Sequence, residues 1–156
     1  MIEDKYQIVA DFAVSAVEGI KRTGLQVQAL KDRYAKIMMP FEGNVSHVGT
    51  MYAGSLFILG EFAGGIIHGV AFDYNQFFPI VKEVTIRYLK AAKTDVTLEV
   101  TMSEETATQI QATAAREGKC DFQLDLALKD TENQTVAEVH GTWQLRKFRQ
   151  GQSLTN

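Results

Sequence analysis

The feature that most constrains this chain is one apolar segment at its centre. Residues 50–72 read TMYAGSLFILGEFAGGIIHGVAF, and this length is sufficient to span a bilayer, for which ~20 residues are needed. Glu61 lies at the midpoint, however, and a carboxylate at the centre of a bilayer costs ~2.5 kcal/mol or more. The rest of the chain has the alternation of amphipathic strands, which need a water-soluble core. The segment therefore predicts a helix over about 50–72 that is buried inside a soluble protein, with no membrane as partner.

Periodic patterns flank this helix on both sides. Apolar residues recur at helical spacing from Ile2 to Ile20, and Gly24 follows as the permissive residue past a helix end, which predicts an N-terminal helix over about 2–22. Period-two alternation predicts strands near residues 25–30, 34–38, 84–88, 96–102, 122–128 and 137–145. DYNQFFP, after the central helix, indicates a loop, residues 103–117 indicate a short helix, and DTENQ indicates a hairpin turn. The tail 150–156 is expected to fray.

The order of these elements indicates the fold class. A helix, strands, a long apolar helix and then strands with short connections predict a single α+β domain, 1–156, with an antiparallel sheet and helices on one side. The central helix is apolar on every face, so it cannot lie on a flat sheet with its back in water. We expect a strongly curved sheet that wraps the helix. A second subunit is expected to complete the enclosure, as a homodimer or a dimer of dimers.

Composition excludes several functions. The formal net charge is −3, which lacks the positive field of a general nucleic-acid-binding protein. The single cysteine, Cys120, cannot form an internal disulfide, and no second cysteine or close histidine cluster accompanies it to hold zinc. The first residues, MIEDKYQIVADF, have no apolar stretch followed by a cleavage site. We therefore expect a cytoplasmic protein that uses no metal and no redox cofactor and does not bind nucleic acid.

Polar and small residues cluster where the chain enters the central helix, in NVSHVGTMYAGSLFILGE, residues 44–61. This stretch resembles the hotdog-fold thioesterases, in the branch related to phenylacetate-pathway and acyl-CoA thioesterases, where a polar loop leads through a Gly-Thr-x-His-Gly-Gly-type turn into the central helix. HVGTMYAGSLF is most similar to the thioesterase domain that is sometimes fused to an acetyltransferase. IRYLKAAK, residues 86–93, is similar to the strand end that lines the coenzyme A site of the family. The resemblance covers about residues 25–148. It implies a hotdog fold and hydrolysis of acyl-CoA or acyl-carrier-protein thioesters, with coenzyme A present only as part of the substrate.

The resemblance also implies roles for individual residues. Glu61 matches the catalytic carboxylate, and Ala53 and Gly54 match the paired small residues whose backbone N–H groups face the thioester oxygen. Ser46 matches the polar residue that orients the attacking water or the substrate. Tyr52 stands where many members have histidine, and Asn44 lies two residues earlier than the usual asparagine. The candidate substrate-binding residues are Asn44, His47 and Tyr52 at the helix entrance, and Arg87, Lys90 and Lys93 for the coenzyme A phosphates.

Elementary chemistry supports this placement. Thioester hydrolysis has to stabilise a tetrahedral oxyanion, and the unpaired N–H groups at a helix N-terminus can do so. A carboxylate among apolar side chains has its pKa raised by desolvation, which suits Glu61 to act as a general base near neutral pH; it could also attack directly and form an anhydride. Ala53 and Glu61 are eight residues apart, hence ~12 Å apart along one helix. One site therefore needs groups from two chains, which predicts a two-fold dimer with two shared sites.

Other interpretations of the same residues stay open. The scaffold could serve as a non-catalytic acyl-binding or regulatory module, because a fold does not establish an activity. Retention of Glu61 favours the enzyme, and a dehydratase is less favoured because its catalytic histidine has no clear counterpart. Close-packing positions are expected at Gly60, Gly64, Gly65 and Gly69. His68 is expected to be a core residue whose hydrogen-bonding groups have partners, and Cys120 a structural thiol.

Overall fold

A computed structural model describes residues 1–154, so residues 155 and 156 of the tail predicted to fray lie outside the described residues. The helices are α1 (Gln7–Ser15), α2 (Glu18–Thr23), α3 (Ala53–Ala71) and α4 (Glu104–Glu117), and a 3-10 turn at Asp4–Tyr6 precedes them. The strands are β1 (Gln26–Lys31), β2 (Tyr34–Met39), β3 (Phe77–Tyr88), β4 (Val96–Thr101), β5 (Lys119–Lys129) and β6 (Thr135–Lys147). They form one antiparallel sheet in the order β1-β2-β4-β5-β6-β3. The predicted α+β fold, with a curved antiparallel sheet around a long central helix, is confirmed.

The helix α3 packs closely against β6. A Cβ atom at Gly60 would lie 2.5 Å from Cγ2 of Val139, and one at Gly64 would lie less than 3.0 Å from three atoms of the Trp143 indole. Both glycines are therefore close-packing positions, as predicted. By length and composition α3 could cross a membrane, but 61% of its most apolar window is buried inside the chain, which is the situation of a core helix.

The start of α3 is set by the turn that precedes it. The helix begins at Ala53, later than the predicted residue 50, because the N–H of Met51 donates to the carbonyl of Ala92 (2.8 Å) and that of Tyr52 to the carbonyl of Asn44 (2.7 Å). Tyr52 itself has φ −58° and ψ 133°, outside the helical region. The polar stretch thus forms a fixed entrance to α3.

The prediction of one N-terminal helix over 2–22 is wrong, because this segment is a 3-10 turn followed by two short helices. The break falls at Val17, which has the extended dihedral angles φ −115° and ψ 113°. The hydroxyl of Ser15 donates to the carbonyl of Asp11 (2.6 Å), which bends a helix, and Val17 is β-branched. The second helix, α2, ends at Thr23, and Gly24 follows with a φ of +73°, as predicted for the residue past the helix end.

The strand β3 begins at Phe77, inside the segment predicted to be a loop. Phe77 is buried in the core, and Pro79 pairs with Leu145 of β6. Because β3 forms an edge of the sheet, the missing N–H of proline can face away from the neighbouring strand. Burial of Phe77 and the tolerance of an edge strand for Pro79 explain why the loop prediction is wrong at these positions. The strand extends over 12 residues and is paired with β6 on one side only among the described residues.

Candidate active site

Glu61 lies on the part of α3 that the sheet leaves uncovered. Ala53, Phe57, Glu61 and Gly65, each four residues from the next, are exposed or half-buried, and we call them the open stripe. Within residues 1–154 the Glu61 carboxylate has no ion pair and no hydrogen bond, and burial raises its pKa above the ordinary value. The predicted direction of this pKa shift is confirmed. A half-buried carboxylate without a partner is costly to the fold, and such groups occur preferentially at functional sites.

The N-terminus of α3 provides unpaired backbone donors. The N–H groups of Ser55 and Leu56 both donate to the carbonyl of Tyr52, at 3.0 and 3.2 Å. Those of Ala53 and Gly54 belong to the same first turn and have no acceptor among residues 1–154. They are the two N–H groups predicted to face the thioester oxygen, and the helix dipole adds to their attraction for an anionic oxygen.

Two tyrosines frame this first turn. The ring of Tyr52 folds back over Gly54, where a Cβ atom would lie less than 3.0 Å from two ring atoms, so a larger residue would displace the ring. Tyr88, at the end of β3, donates its hydroxyl to the carbonyl of Ala53 (2.9 Å). Tyr88 is not among the predicted site residues, although it lies in the IRYLKAAK stretch, where period-two alternation separates its face from that of Arg87.

Asn44 is buried and holds the entrance to α3 in place. Its Nδ2 donates to the carbonyls of Thr23 (2.8 Å) and Pro40 (2.9 Å), and its Oδ1 accepts from the hydroxyl of Ser55 (2.8 Å). Both polar atoms of the side chain are thus satisfied within the chain. In place of the predicted contact with substrate, this geometry gives Asn44 a positioning role that joins the end of α2 to the first turn of α3.

Ser46 and His47 lie on a tight turn just before that entrance. The N–H of Ser46 donates to the carbonyl of Thr50 (2.7 Å), and its hydroxyl oxygen accepts from the N–H of Val48 (3.3 Å). Gly49 completes the turn with φ +78°, in the left-handed region. His47 is exposed. Among the described residues neither Ser46 nor His47 is hydrogen-bonded to Glu61, so one chain does not gather these predicted residues into one cluster.

Arg87 lies away from the α3 entrance. Side chains alternate along a strand, and the neighbouring Tyr88 reaches Ala53, so Arg87 faces the outer side of the sheet. There it lines a pocket of about 540 Å³ together with Asp125 and His140. The Nδ1 atom of His140 lies 2.5 Å from Oδ1 of Asp125. The predicted grouping of Arg87 with the two lysines is therefore not present in a single chain.

The two lysines occupy different positions on the segment after β3. Lys90 contacts Gln134 and lies 3.9 Å from a carboxylate oxygen of Asp130, so its ammonium group is engaged with the turn between β5 and β6. Lys93 is exposed and follows Ala92, whose carbonyl is bonded to the turn before α3. Of the three predicted cations, Lys93 is the one joined most directly to the α3 entrance.

An apolar cavity of about 700 Å³ lies between α3 and the N-terminal helices. Its apolar lining includes Ile8, Phe12, Val17, Ile20, Phe62 and Ile66. Glu61 is the lining residue of α3 nearest the helix N-terminus. Gly65 also lines the cavity, and a Cβ atom there meets nothing within 4 Å, so the prediction of close packing at Gly65 is wrong. The cavity itself was not predicted, because its walls come from three helices, from residues 74, 75 and 79 after α3 and from residues 153 and 154, and the relative placement of these parts is a tertiary property.

His68 is buried behind this cavity, as predicted. Its Nε2 lies 2.8 Å from the carbonyl oxygen of Phe77 and therefore donates to it, and burial lowers the pKa of His68 to about 4. The imidazole is neutral at pH 7. Over the described part of the chain, no group of three or more His, Cys, Asp or Glu side chains is placed to hold a metal ion.

The fold and the site together define a class of protein. A curved antiparallel sheet around one long helix, with a polar turn leading into that helix, is the hotdog architecture, and several solved structures with this architecture are described as thioesterases. The chain belongs to the DUF4442 family, a domain of unknown function, whose match covers residues 8–145. No curated protein matches the chain.

Solved structures place this family among proteins of known fold. A Pseudomonas aeruginosa protein of unknown function, described as a probable thioesterase, is 35% identical, with a TM-score of 0.86 over 91% of this chain and 95% of that chain. A Haemophilus influenzae thioesterase is 11% identical, with a TM-score of 0.70 over 92% of each chain. A hypothetical thioesterase from Streptococcus pneumoniae, determined with coenzyme A, is 17% identical, with a TM-score of 0.59 over 83% of this chain and 92% of that chain. The latter two show similarity of fold alone.

Proposed function

We propose that this protein is a thioesterase that hydrolyses acyl-CoA or acyl-carrier-protein thioesters to a free acid and a thiol. The observation that carries the proposal is the position of Glu61. This unpaired carboxylate lies beside an apolar cavity and on the same open stripe as the unpaired N–H group of Ala53, with that of Gly54 next to it. Thioester hydrolysis needs these parts: a base, apolar space for the acyl group and donors for an oxyanion. The 35% identical protein described as a probable thioesterase supports the same activity.

In the proposed reaction Glu61 takes a proton from a water molecule while the water oxygen attacks the thioester carbonyl carbon. The carbonyl oxygen becomes negatively charged, and the N–H groups of Ala53 and Gly54 stabilise it. Collapse of the tetrahedral intermediate breaks the C–S bond and releases the thiolate, which takes the proton from Glu61. In the alternative route, the Glu61 carboxylate attacks the carbonyl carbon and forms an anhydride, which water then hydrolyses. Both routes use the same groups.

We further propose that the site is shared between two copies of the chain. Ala53 and Glu61 are ~12 Å apart along α3, too far to act on one carbonyl group. The edge strand β3, 12 residues long with Val81 and Tyr88 exposed, offers an unpaired backbone edge to a second strand. Antiparallel pairing of two β3 strands about a two-fold axis is expected to bring two open stripes face to face. Ala53 of one protomer then approaches Glu61 of its partner, in a homodimer or a dimer of dimers.

For the thiol part of the substrate, we propose that Lys93 contacts a coenzyme A phosphate. Lys93 is exposed beside the α3 entrance, whereas Arg87 faces the other side of the sheet and Lys90 is engaged with the turn between β5 and β6. An ammonium group on a flexible stem is a common phosphate ligand. The S. pneumoniae relative that was determined with coenzyme A supports a coenzyme A thioester as the substrate class.

The test compares Glu61→Gln with the wild type on a panel of acyl-CoA and acyl-carrier-protein thioesters. The substitution keeps the volume and removes the base, so kcat/KM for the best substrate is expected to fall ~10²- to 10⁴-fold, while the circular dichroism spectrum is unchanged. Glu105→Gln, the same change at an exposed position of α4, is the matched control and should keep the wild-type kcat/KM. Hydrolysis by Glu61→Gln at the wild-type rate would refute the role of Glu61. If the wild type hydrolyses no member of the panel, the proposed activity is wrong.

A further inference from the structure

The cavity beside Glu61 defines the acyl group more closely. We propose that it binds the acyl chain of the substrate as an aliphatic chain of medium length, which runs from Glu61 towards Gly69 under a roof formed by α1 and α2. This inference rests on the proposed thioesterase function and adds to it the class of acyl group.

The walls of the cavity suit an aliphatic chain and no charged ligand. They consist mainly of apolar side chains from α1, α2 and α3. Within residues 1–154, Glu61 is the one Asp, Glu, Lys or Arg that lines the cavity, and His68, which also lines it, is neutral at pH 7. Burial of each methylene group against such walls is expected to strengthen binding about fourfold.

Glu61 sets the direction of the chain. On α3 the wall begins at Glu61 and ends at Gly69, which is an axial length of ~12 Å at the helical rise. Because Glu61 acts at the thioester carbonyl, the carbonyl carbon lies at that end and the methyl group points towards Gly69. There α1 lies directly on α3, since a Cβ atom at Gly69 would be less than 3.0 Å from Val9. After α3 the lining continues with Tyr74, Asn75 and Pro79, so the ~12 Å wall sets the length of chain that can lie against α3 itself.

The roof of the cavity is fixed to the rest of the protein at both ends. Before α1, the N–H of Glu3 donates to the carbonyl of Leu30 on β1 (3.0 Å). After α2, the side chain of Asn44 donates to the carbonyl of Thr23 (2.8 Å). Protein interiors are close-packed and contain few voids larger than a water molecule. An apolar space of about 700 Å³ under an anchored roof is therefore part of the fold, and its volume lies in the ~300–1,000 Å³ range of small-molecule sites.

Gly65 lies in the middle of the α3 wall and permits a selective test. A Cβ atom at Gly65 meets nothing within 4 Å, so a leucine side chain there enters the cavity and not the core. Leucine is also a good helix former, so the helix is retained. Gly19→Leu is the matched control: Gly19 lies on α2, its Cβ atom also meets nothing within 4 Å, and it does not line the cavity.

The first measurement is the binding of 1-decanol by isothermal titration calorimetry. Decanol is a neutral chain, so it avoids repulsion by the Glu61 carboxylate. The wild type and Gly19→Leu are expected to bind it with a negative change in heat capacity, which marks apolar burial. Gly65→Leu is expected to bind at least ~10-fold more weakly, the equivalent of about two methylene contacts. Glu61→Gln is expected to bind decanol at least as tightly as the wild type, because the apolar walls are unchanged.

The second measurement is kcat/KM for butanoyl-, octanoyl- and decanoyl-CoA. For the wild type, kcat/KM is expected to rise about fourfold per methylene group until the chain reaches the end of the cavity. Gly65→Leu is expected to lower the ratio of kcat/KM for decanoyl-CoA over butanoyl-CoA at least ~10-fold, whereas Gly19→Leu keeps the wild-type ratio.

The two measurements separate this inference from the proposed function. If no acyl-CoA is hydrolysed, but decanol binds and Gly65→Leu weakens its binding, the activity is refuted and the chain site stands. If decanoyl-CoA is hydrolysed and Gly65→Leu changes neither decanol binding nor the ratio, the inference is overturned and the activity stands. Failure of decanol to bind the wild type also overturns the inference. If Gly65→Leu then also changes the mass measured by sedimentation equilibrium, the face of α3 around Gly65 is assigned to contact with a second copy of the chain.

Discussion

Gly64→Ala and Gly65→Ala make the same chemical change at neighbouring positions of α3, and we expect opposite effects on stability. A Cβ atom at Gly64 would lie less than 3.0 Å from three atoms of the Trp143 indole, whereas one at Gly65 meets nothing within 4 Å. The indole has no room to move away, because its side chain is only 1% exposed. Its far edge lies against Gly141, where a Cβ atom would also be closer than 3.0 Å.

The expected difference can be worked out from these contacts. Overpacking a close-packed core costs ~1–3 kcal/mol, and a ring held at both edges places Gly64→Ala near ~3 kcal/mol. Replacing glycine by alanine inside a helix contributes ~1 kcal/mol in favour of folding. Gly64→Ala is therefore expected to lose ~2 kcal/mol of unfolding free energy and Gly65→Ala to gain ~1 kcal/mol. At ~2–4 °C per kcal/mol, their melting temperatures differ by ~6–12 °C.

Urea unfolding, followed by circular dichroism, measures this difference. All variants are compared at one protein concentration, because the apparent stability of an oligomer depends on concentration. Gly19→Ala, on the exposed side of α2, is the control for a helical glycine without close packing. The reasoning is wrong if Gly64→Ala is as stable as the wild type, or if Gly65→Ala loses as much stability as Gly64→Ala.

Two further predictions concern acid stability and the shared site. Burial lowers the pKa of His68 from 6.5 to about 4, so between these values the unfolded chain binds a proton that the folded chain does not, and stability is lost as the pH falls. This contribution amounts to ~2 kcal/mol between pH 7 and pH 5, and His68→Gln should remove most of that slope in urea unfolding at the two pH values; an unchanged slope contradicts the assignment. Ala53→Pro removes one oxyanion N–H yet fits the first turn of α3, because Tyr52 has the extended angles that a residue before proline requires. Refolded together with Glu61→Ala in equal amounts, it is expected to recover about a quarter of the wild-type activity, since half the dimers are mixed and each mixed dimer has one intact site. Mixed dimers that are present by mass spectrometry but inactive would disprove the shared site.

Local periodicity explains which parts of the fold could be predicted. Residues 50–72 are apolar on every face and so demand enclosure, and the alternation of Leu124, Leu126 and Leu128 selects a strand, as the structure shows. The break at Val17 and the early start of β3 at Phe77 could not be predicted in this way. Both depend on the surfaces that these residues meet after folding, and no local pattern describes those surfaces.

The features of the candidate site also divide into those that could be predicted from local sequence and those that could not. The direction of the pKa shift of Glu61 could be predicted from its apolar sequence neighbours on α3, whereas the cavity that Glu61 also lines could not. The role of Asn44 could not be predicted, because two of the three residues that take up its hydrogen-bonding capacity, Thr23 and Ser55, are distant along the chain. The outward position of Arg87 was available from its alternation with Tyr88, but the resemblance of the surrounding stretch grouped Arg87 with the lysines instead.

The single tryptophan of the chain makes the contact between α3 and β6 visible to fluorescence. The indole of Trp143 packs on Gly64 and is almost wholly buried, and its Nε1 has no hydrogen-bond partner among the described residues. Indole emission shifts to longer wavelength when the ring meets water, and no second tryptophan overlaps this signal. A red shift that precedes the loss of helical circular dichroism therefore marks separation of an intact α3 from the sheet. A red shift that coincides with it marks a single cooperative unfolding transition.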